Sequence, residues 1–360
     1  DSDDLQLKLN ASVFDRDARD DNAAIDAGVR FPVPAFVSET DFQRRDLALA
    51  LSRSYRTGAS LVAGLELADE DGQLDSVGDF FGSGSPQTLN FSLDRETTAV
   101  FLEGRFPLLS GLTGQLGLRH DRVDEGDSSD SETTPHLGLV WVLPDNATTL
   151  KANYNEGFKP PSFFALGFPL GGNPALDPER SRNVDLTVSR RIDAAGSALQ
   201  LSVFKTHYED LVDFDSDTFM NINRGTIVIQ GVEPELTLRI GRRWHVQANA
   251  SLLDIDERDG LQPLRNRPER TAAANLSHDF EGGHTAFIGL SYSGDFLDRS
   301  NPTGDIRLSS FTVVNAAGSL RFGALRVSLG IDNLFDEDHE QFVGFPAQDR
   351  RLRFELRGEF

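Results

Sequence analysis

The histidines, serines and carboxylates of this sequence are the side chains that could do chemistry, and their spacing supports no catalytic site. The histidines lie at positions 120, 136, 207, 245, 278, 284 and 339. No HExxH pattern occurs among them, so the zinc site of a metalloprotease is not supported. The sequence has no G-x-S-x-G motif and no P-loop, and no spacing singles out two carboxylates for a glycosidase. We therefore predict a protein that is not an enzyme, with no catalytic residue, no metal site and no cofactor.

The densest acidic segment offers carboxylate oxygens, the ligands that Ca²⁺ prefers. It consists of Asp121, Asp124, Glu125, Asp127, Asp130 and Glu132. The segment lacks the glycine-centred spacing of an EF-hand loop. We therefore favour a solvated loop over a calcium site.

A group of phenylalanines in residues 158–172 could bind rather than react. Apolar rings are costly to expose in a loop, so they either pack on one another or meet an apolar ligand. Packing among themselves is favoured, but a ligand contact would be sought here first. The candidate ligand-binding residues are Phe158, Phe163, Phe164 and Phe168, with Phe345 in the last long loop as a second place.

In the elements that position these rings, apolar and polar residues alternate with a period of two. Near the end of the chain Leu352, Phe354 and Leu356 alternate with charged residues, which places the charges on one face of a strand. The same alternation occurs from 325 to 332 and from 5 to 13. Turn signals between such segments predict about sixteen strands. They start near residues 4, 41, 59, 89, 112, 133, 148, 181, 197, 222, 244, 270, 284, 309, 325 and 348.

The connections between these strands alternate between short and long. Short turns are predicted at 56–58, 109–111, 145–147, 193–196, 241–243, 281–283 and 323–324. Long loops run roughly over 15–40, 69–88, 121–132, 155–180, 209–221, 254–269, 295–308 and 333–347. An antiparallel meander with this alternation has all its tight turns at one end, as transmembrane barrels do. The fold class predicted is all-β, an up-and-down transmembrane β-barrel forming a single domain over 1–360.

The composition of the chain limits the partners and the folds that are possible. The chain has 57 Asp and Glu against 35 Lys and Arg, a net charge of −22, no cysteine and 38% hydrophobic residues. Such a charge argues against both nucleic acid and an anionic membrane surface as partners, because binding phosphates needs a basic surface. A soluble sandwich or propeller is the competing fold, but about sixteen strands enclose a lumen too wide for side chains to fill. A membrane barrel avoids this problem, because its apolar residues face lipid and do not have to fill the lumen.

Aromatic residues near the predicted short turns fit the interface girdle of a membrane barrel. They are Trp141, Trp244, Phe106, Phe280, Phe322 and Phe360.

Several motifs resemble the TonB-dependent outer-membrane receptor family. Residues 136–164 read HLGLVWVLPDNATTLKANYNEGFKPPSFF, a strand, a tight turn and a strand that ends in the motif NEGFKPPS. Further motifs follow in the family's order, and together they cover roughly 87–360. They are Asn173-Pro174, Leu176, Pro178-Glu179 with Ser181, Asn223 with Gly231-Val232-Glu233, Asn266-Arg267-Pro268, Asp332-Asn333-Leu334-Phe335-Asp336 and the terminal Phe360. Prolines that end a strand, glycines at close contacts and Asn or Asp in turns also explain these residues structurally.

The resemblance implies a protein of the Gram-negative outer membrane that takes up scarce, bulky nutrients such as ferric siderophores, cobalamin or glycans. It implies membrane lipid as a partner, a small-molecule or metal-chelate substrate, and the barrel-assembly machinery reading the strand that ends in Phe360. Lipopolysaccharide is a further expected partner, because divalent cations could bridge it to the acidic loops; adaptation to high salt is the alternative explanation of that charge. Family barrels have 22 strands and an N-terminal plug, and TonB would be a partner only if a plug exists elsewhere.

No plug or TonB-engaging segment is visible before residue 4, and the chain starts at Asp1 without Met. We expect a processed or truncated chain, and three interpretations stay open. It is the C-terminal part of a longer receptor, a self-contained plugless porin, or a barrel subunit of a larger assembly.

Overall fold

The computed structural model describes residues 4–80, 82–126, 128–258, 260–261, 263–300 and 302–358. Sixteen strands form one sheet. They are β1 (Asp4–Asn22), β2 (Phe36–Ser54), β3 (Ser60–Gly78), β4 (Gln87–Leu109), β5 (Leu112–Glu125), β6 (Ser128–Val142), β7 (Thr148–Lys159), β8 (Glu179–Arg191), β9 (Ala198–Glu209), β12 (Ile227–Ile240), β13 (Trp244–Glu257), β14 (Arg270–Asp279), β15 (Thr285–Ser293), β18 (Phe311–Phe322), β19 (Leu325–Asp332) and β22 (Arg351–Gly358).

The long loops contain the remaining elements. Three small hairpins lie there, formed by β10 (Leu211–Asp215) with β11 (Met220–Arg224), β16 (Phe296–Ser300) with β17 (Gly304–Leu308), and β20 (Glu340–Phe342) with β21 (Phe345–Pro346). The helix α1 covers Phe163–Gly167, and a 3₁₀ turn covers Glu281–Gly283. No helix in the described ranges is long and apolar enough to cross a membrane.

The sheet is the wall of an antiparallel up-and-down barrel. Each strand pairs with the sheet strands before and after it in the chain, so the order follows the sequence. The sixteen predicted strands are confirmed, although three starts were wrong by five residues: β2 starts at Phe36 rather than 41, β6 at Ser128 rather than 133, and β12 at Ile227 rather than 222. Residues 15–22 and 69–78, predicted as loop, continue the strands β1 and β3, because charged residues on the outer face end the apolar alternation there while the backbone ladder continues.

The two faces of the wall differ in polarity. On β2 and β3, Leu47, Leu49 and Leu51 stand opposite Leu67, Leu65 and Ala63 on the outer face. On β22 the outer residues Leu352, Phe354 and Leu356 are 60–70% exposed. The inner residues Arg351 and Arg353 both pair with Asp332 of β19, at 3.0 and 2.6 Å. We refer to the outward apolar residues as the lipid belt.

The short turns gather at one end, together with aromatic side chains. The Trp244 and His278 rings lie 4.0 Å apart, and the His278 and Phe280 rings 4.3 Å. In the turn between β6 and β7, Asp145 accepts hydrogen bonds from the Ala147 and Thr148 amides, both at 2.9 Å. These amides lower the pKa of Asp145 to about 2. The predicted girdle residue Phe360 lies outside the described residues.

The strands β1 and β22 are the two edges of the sheet. Among the described residues no hydrogen-bonded ladder joins them, and every described residue of β22 is exposed. Strand length also changes around the wall: β4 has 23 residues, whereas β19 and β22 have 8 each. The wall is therefore tall at its first strands and low at its last ones.

Candidate functional site

A cavity of about 680 Å³ lies at the long-loop end, between the inner face of the first strands and the loop that follows β7. We call it the loop cavity. Its lining combines aromatic rings with basic side chains. These include Phe14, Arg16, Phe42, Arg44, Arg95, Arg119, Phe158, Lys159, Phe163 and Phe164.

The loop between β7 and β8 forms the roof of the loop cavity. Pro160 and Pro161 cannot donate to a ladder, so β7 ends before them. Ser162 caps α1 by accepting a hydrogen bond from the Ala165 amide at 3.2 Å. The cap turns the chain inward and buries Phe163 and Leu166. These two residues form an apolar cluster with Leu74, Leu93 and Leu176.

The structure brings together three of the five predicted contact residues. Phe158, Phe163 and Phe164 line the loop cavity, with the Phe163 and Phe164 rings 5.6 Å apart. Phe168 lies outside the cavity, and its ring packs 6.3 Å from that of Phe36. Phe345 is also outside, in β21, where it is 57% exposed. The expected packing of these rings is observed as well, because Phe163 contacts Phe42 and Phe91 with both ring distances at 5.4 Å.

Sequence reasoning missed the arginines of the loop cavity. Arg44, Glu70, Arg95 and Glu125 are cross-strand partners on β2 to β5 and form one charged row. Glu70 joins Arg44 at 2.9 Å and Arg95 at 3.4 Å, and Arg95 reaches Glu125 at 2.6 Å. Only the sheet register places these residues side by side, so no spacing along one strand reveals them.

The acidic segment predicted as a solvated loop is part of the strands β5 and β6, so its assignment to a loop was wrong; Asp127 lies outside the described residues. Asp121 is 8% exposed and pairs with Arg119 at 2.9 Å. Glu132 pairs with Arg180 at 2.6 Å. The segment is strand because its carboxylates alternate between two faces, and the inward ones are neutralised by arginine.

The lining of the loop cavity has more basic than acidic side chains, and four of the five basic ones pair with carboxylates: Arg44 with Glu70, Arg95 with Glu125, Arg119 with Asp121, and Lys159 with Glu179. Five basic side chains line it, Arg16, Arg44, Arg95, Arg119 and Lys159, against three acidic ones, Glu70, Asp121 and Glu156. The Arg16 guanidinium lies over the Phe164 ring, 5.3 Å from its centroid. A surface of aromatic faces and guanidinium groups suits a planar or anionic ligand.

A second group of contacts, the mouth latch, ties the loop after β1 to the last loops. Asp298 of β16 has a side chain only 2% exposed and pairs with Arg30 at 2.6 Å. It also accepts the Val343 amide at 2.7 Å. Burial opposes ionisation of Asp298, but the Val343 and Arg299 amides and Arg30 outweigh it and keep its pKa below the usual value. Arg30 also lies 5.6 Å from the centroid of Phe345.

Three carboxylates elsewhere are close enough to hold a cation. The oxygens of Asp15, Asp17 and Asp41 lie within 4.8 Å of one another on the outer face just above the lipid belt. All three are exposed, so water solvates them. Two strands contribute them, which is why no sequence motif shows them.

Comparison with known families decides the identity of the fold. Residues 1–334 match the family described as TonB dependent receptor-like, beta-barrel. The chain belongs to this family. The match confirms the resemblance seen in the motifs up to residue 334 and extends further toward the start of the chain.

Relatives within the family are transporters and receptors rather than enzymes, as the sequence predicts. The vitamin B12 transporter BtuB of Vibrio cholerae is 27% identical over 246 residues, covering 66% of this chain and 39% of the relative. The chain thus spans about two fifths of that relative's length.

Solved structures of the family share the fold. The ferripyoverdine receptor of the outer membrane of Pseudomonas aeruginosa superposes with a TM-score of 0.75 at 18% identity, covering 99% of this chain and 54% of the receptor. The ferric-catecholate import receptor Fiu of Escherichia coli K12 gives 0.74 at 16% identity, covering 100% of this chain and 62% of Fiu.

Proposed function

We propose that the chain is the barrel wall, a single domain, of a receptor that takes up a bulky nutrient across a Gram-negative outer membrane. The observation that carries this proposal is the loop cavity, whose aromatic and basic lining lies at the long-loop end of a TonB-dependent barrel wall. We assign the long-loop end to the cell exterior, where a substrate arrives. Uptake then needs binding and release but no bond chemistry.

The chemistry of the lining favours an anionic complex with aromatic groups among the substrates considered, which fits a ferric siderophore better than a neutral glycan. Arg16 and Phe164 provide a cation next to an aromatic face, and Phe158 lies against Arg180 at 5.8 Å. Aromatic groups of a ligand stack on such rings, while guanidinium groups bind its carboxylate or phenolate oxygens. Cobalamin remains the main competitor.

Transport also needs parts that the wall does not supply. We propose that a plug closes the lumen and that TonB acts on this plug from the periplasm. The barrel-assembly machinery is proposed to recognise the final strand, whose terminal Phe360 lies outside the described residues. A plugless porin is less well supported, because a steady pore needs a closed wall and no ladder joins β1 to β22 among the described residues.

Binding of defined probes tests the proposed substrate class. The natural protein would be titrated with a ferric catecholate, a ferric hydroxamate and cyanocobalamin, and binding followed by fluorescence quenching. We expect the ferric catecholate to bind most tightly, and Arg16→Ala and Phe164→Ala each to raise its Kd roughly tenfold, the loss of about one strong cation–π or stacking contact. The matched control is Phe335→Ala, because Phe335 is 73% exposed and outside the cavity. Equal Kd values in all variants for every probe would contradict the proposed site.

A further inference from the structure

One side of the inner face of the wall carries no charge over most of its height. Residues 247–251 of β13, 271–277 of β14, 285–293 of β15 and 313–319 of β18 contain no charged side chain. Their inward side chains alternate with outward, exposed ones of the lipid belt such as Leu276 and Ile288. We call this part of the inner face the neutral sector. Two of its cross-strand rows are Asn249, Ala273 and Ser291, and Gln247, Asn275 and Gly289.

The inner face of β2 to β5 is different, because it is covered with ion pairs. Arg119 of β5 pairs with Glu66 of β3 at 2.7 Å and with Asp121 at 2.9 Å, beside the charged row described above. An anion that moves along this side meets fixed carboxylates and arginines that are already paired. The neutral sector neither repels an anion nor holds it tightly, and passage through a pore needs sites that a solute can leave again.

Three arginines lie in one row at the turn end of the neutral sector. Arg326 of β19 is the cross-strand partner of both Arg321 of β18 and Arg357 of β22. All three face the lumen, because their neighbours Leu320, Leu325 and Leu356 are the exposed outward residues. Arg326 Nη1 donates a hydrogen bond to Ser319 Oγ of the neutral sector at 3.2 Å. We call Arg321, Arg326 and Arg357 the exit row.

Two arginines of the exit row have no carboxylate partner. Arg326 and Arg357 form no ion pair within the described part of the chain, although Glu355 lies two residues from Arg357 and has Ser328 as its cross-strand partner. Arg351 and Arg353 of the same strand and the same face both pair with Asp332. The lack of an ion pair is therefore particular to the lower end of β22 and not a property of all its arginines.

Arginines placed directly opposite one another destabilise a sheet. Water reduces this repulsion but does not reverse its sign, so pairing of the strands alone does not favour the exit row. A bound anion does favour it, because guanidinium groups bind carboxylate oxygens in pairs and arginines that line a pore select anions.

We propose that an anionic nutrient complex moves down the lumen along the neutral sector and binds the exit row before its release at the turn end. The ligand class is an iron chelate with a net negative charge and carboxylate or phenolate oxygens on its surface. The short, uncharged side chains let the complex pass, and the exit row attracts it toward the turn end. This inference rests on the proposed function, because it needs a transported anion that enters at the long-loop end.

Equilibrium titration of the natural protein in detergent with a ferric catecholate tests the exit row. We expect a tight site at the loop cavity and a weaker second site at the exit row. The exit variant is Arg326→Gln with Arg357→Gln. It should weaken the second site roughly tenfold, the equivalent of losing one charge-assisted hydrogen bond, and leave the tight site unchanged. Arg16→Ala should do the reverse.

The matched control is Arg105→Gln with Lys151→Gln. These exposed, inward residues lie toward the turn ends of β4 and β7, and neither forms an ion pair in the described chain. The control removes the same charge as the exit variant and should change neither site. In cells, the exit variant should slow uptake of radioactive iron at saturating chelate, with surface binding unchanged. Arg326→Lys with Arg357→Lys keeps the charge and should restore most of the rate.

A pair of variants at one position tests the neutral sector. Ala273→Asp adds a negative charge to the route, whereas Ala273→Asn adds a side chain of the same size without a charge. We expect Asp to slow uptake much more than Asn. Equal uptake in these two variants, or equal behaviour of the exit variant and its control, overturns the proposed route while binding at the loop cavity still stands. A protein that binds no ferric catecholate at either site contradicts the proposed substrate class as well.

Discussion

At the scale of single residues, Asp298 shows how one carboxylate can hold loops from the two ends of the chain together. Its ion pair with Arg30 and its hydrogen bond from the Val343 amide join the first long loop to the last two. The carboxylate is almost fully buried while Arg30 is 36% exposed. Loss of the Asp298 charge therefore leaves buried donors without an acceptor. An unsatisfied buried donor accounts for most of the free energy lost when such a pair is broken.

We predict that Asp298→Asn opens the mouth latch. Amide hydrogen exchange in residues 23–35 should become about 10- to 100-fold faster, the equivalent of losing one or two charged hydrogen bonds. Asp295→Asn is the control, because Asp295 is 54% exposed in its pair with Arg307. Exchange that accelerates equally in both variants would contradict a specific latch.

The latch should also depend on pH in one direction. The folded pKa of Asp298 is lowered, so its stabilisation is complete above the ordinary Asp pKa of about 3.9 and declines as the pH falls below it. The protection factors of the amides in residues 23–35, that is, their exchange relative to the intrinsic rate at each pH, should therefore fall on acidification in the wild type, and Asp298→Asn should lose most of this dependence.

The sequence can place residues together where they are close along the chain. Phe158, Phe163 and Phe164 lie within seven residues of one another at the end of β7 and in α1, so their joint position at the loop cavity follows from local order. Arg16, Arg44 and Arg95 come from three strands, and only the register between those strands brings them to the same cavity. The mouth latch escaped prediction for the same reason, since its partners are 268 residues apart.

At the scale of elements, the wall depends on close backbone approach at a few glycines. A Cβ on Gly231 of β12 would lie 2.8 Å from Cδ2 of Leu253 and 2.9 Å from the Leu252 carbonyl oxygen. The second contact is to backbone, which has little room to move. Gly318 of β18 is different, because its Cβ would meet the Thr285 carbonyl oxygen only at 3.5 Å.

We predict that Gly231→Ala destabilises the wall by about 1–3 kcal/mol, the usual cost of overpacking. Gly318→Ala is its matched control and should change stability little. Urea unfolding of the protein in lipid vesicles measures both. An equal shift in the two variants would show that contact with the neighbouring backbone is not the cause.

Strand positions were predictable because lipid on one side and polar side chains on the other impose a period of two. That pattern located all sixteen sheet strands. Above the membrane the outer face becomes charged, so the upper parts of β1 and β3 were predicted as loops. The small hairpins were missed for the same reason, since five-residue strands such as β10 and β16 lack a consistently apolar face.

At the scale of the whole molecule, the two edges of the sheet are not joined to each other, and this limits the stability of the wall on its own in a membrane. The edge strand β1 runs over 19 residues and presents its free backbone groups on the side away from β2. Free backbone groups are unfavourable in hydrocarbon, and membrane sheets avoid them by closing. The described wall therefore needs a partner for its edges.

We predict that the 360-residue chain on its own gives no steady conductance in a planar lipid bilayer. The edges should instead cause short, irregular current bursts or none. Protease protection in vesicles shows whether the chain has inserted. This measurement distinguishes an inserted wall without conductance from a chain that never entered the bilayer. A large, stable open channel would contradict this prediction and support the porin interpretation.

The unequal height of the wall has a mechanical consequence. The β1–β2 hairpin rises about nine residues above its lipid belt, or roughly 30 Å at 3.3 Å per residue, and its tip carries Arg30 over to the low side of the rim. The hairpin can therefore tilt as a rigid arm about the point where it leaves the membrane surface. A tilt of roughly 5° at the base would move the tip by about 2.6 Å, on that 30 Å arm. This displacement is enough to break the 2.6 Å contact between Arg30 and Asp298, so small movements within the bilayer should be amplified at the mouth.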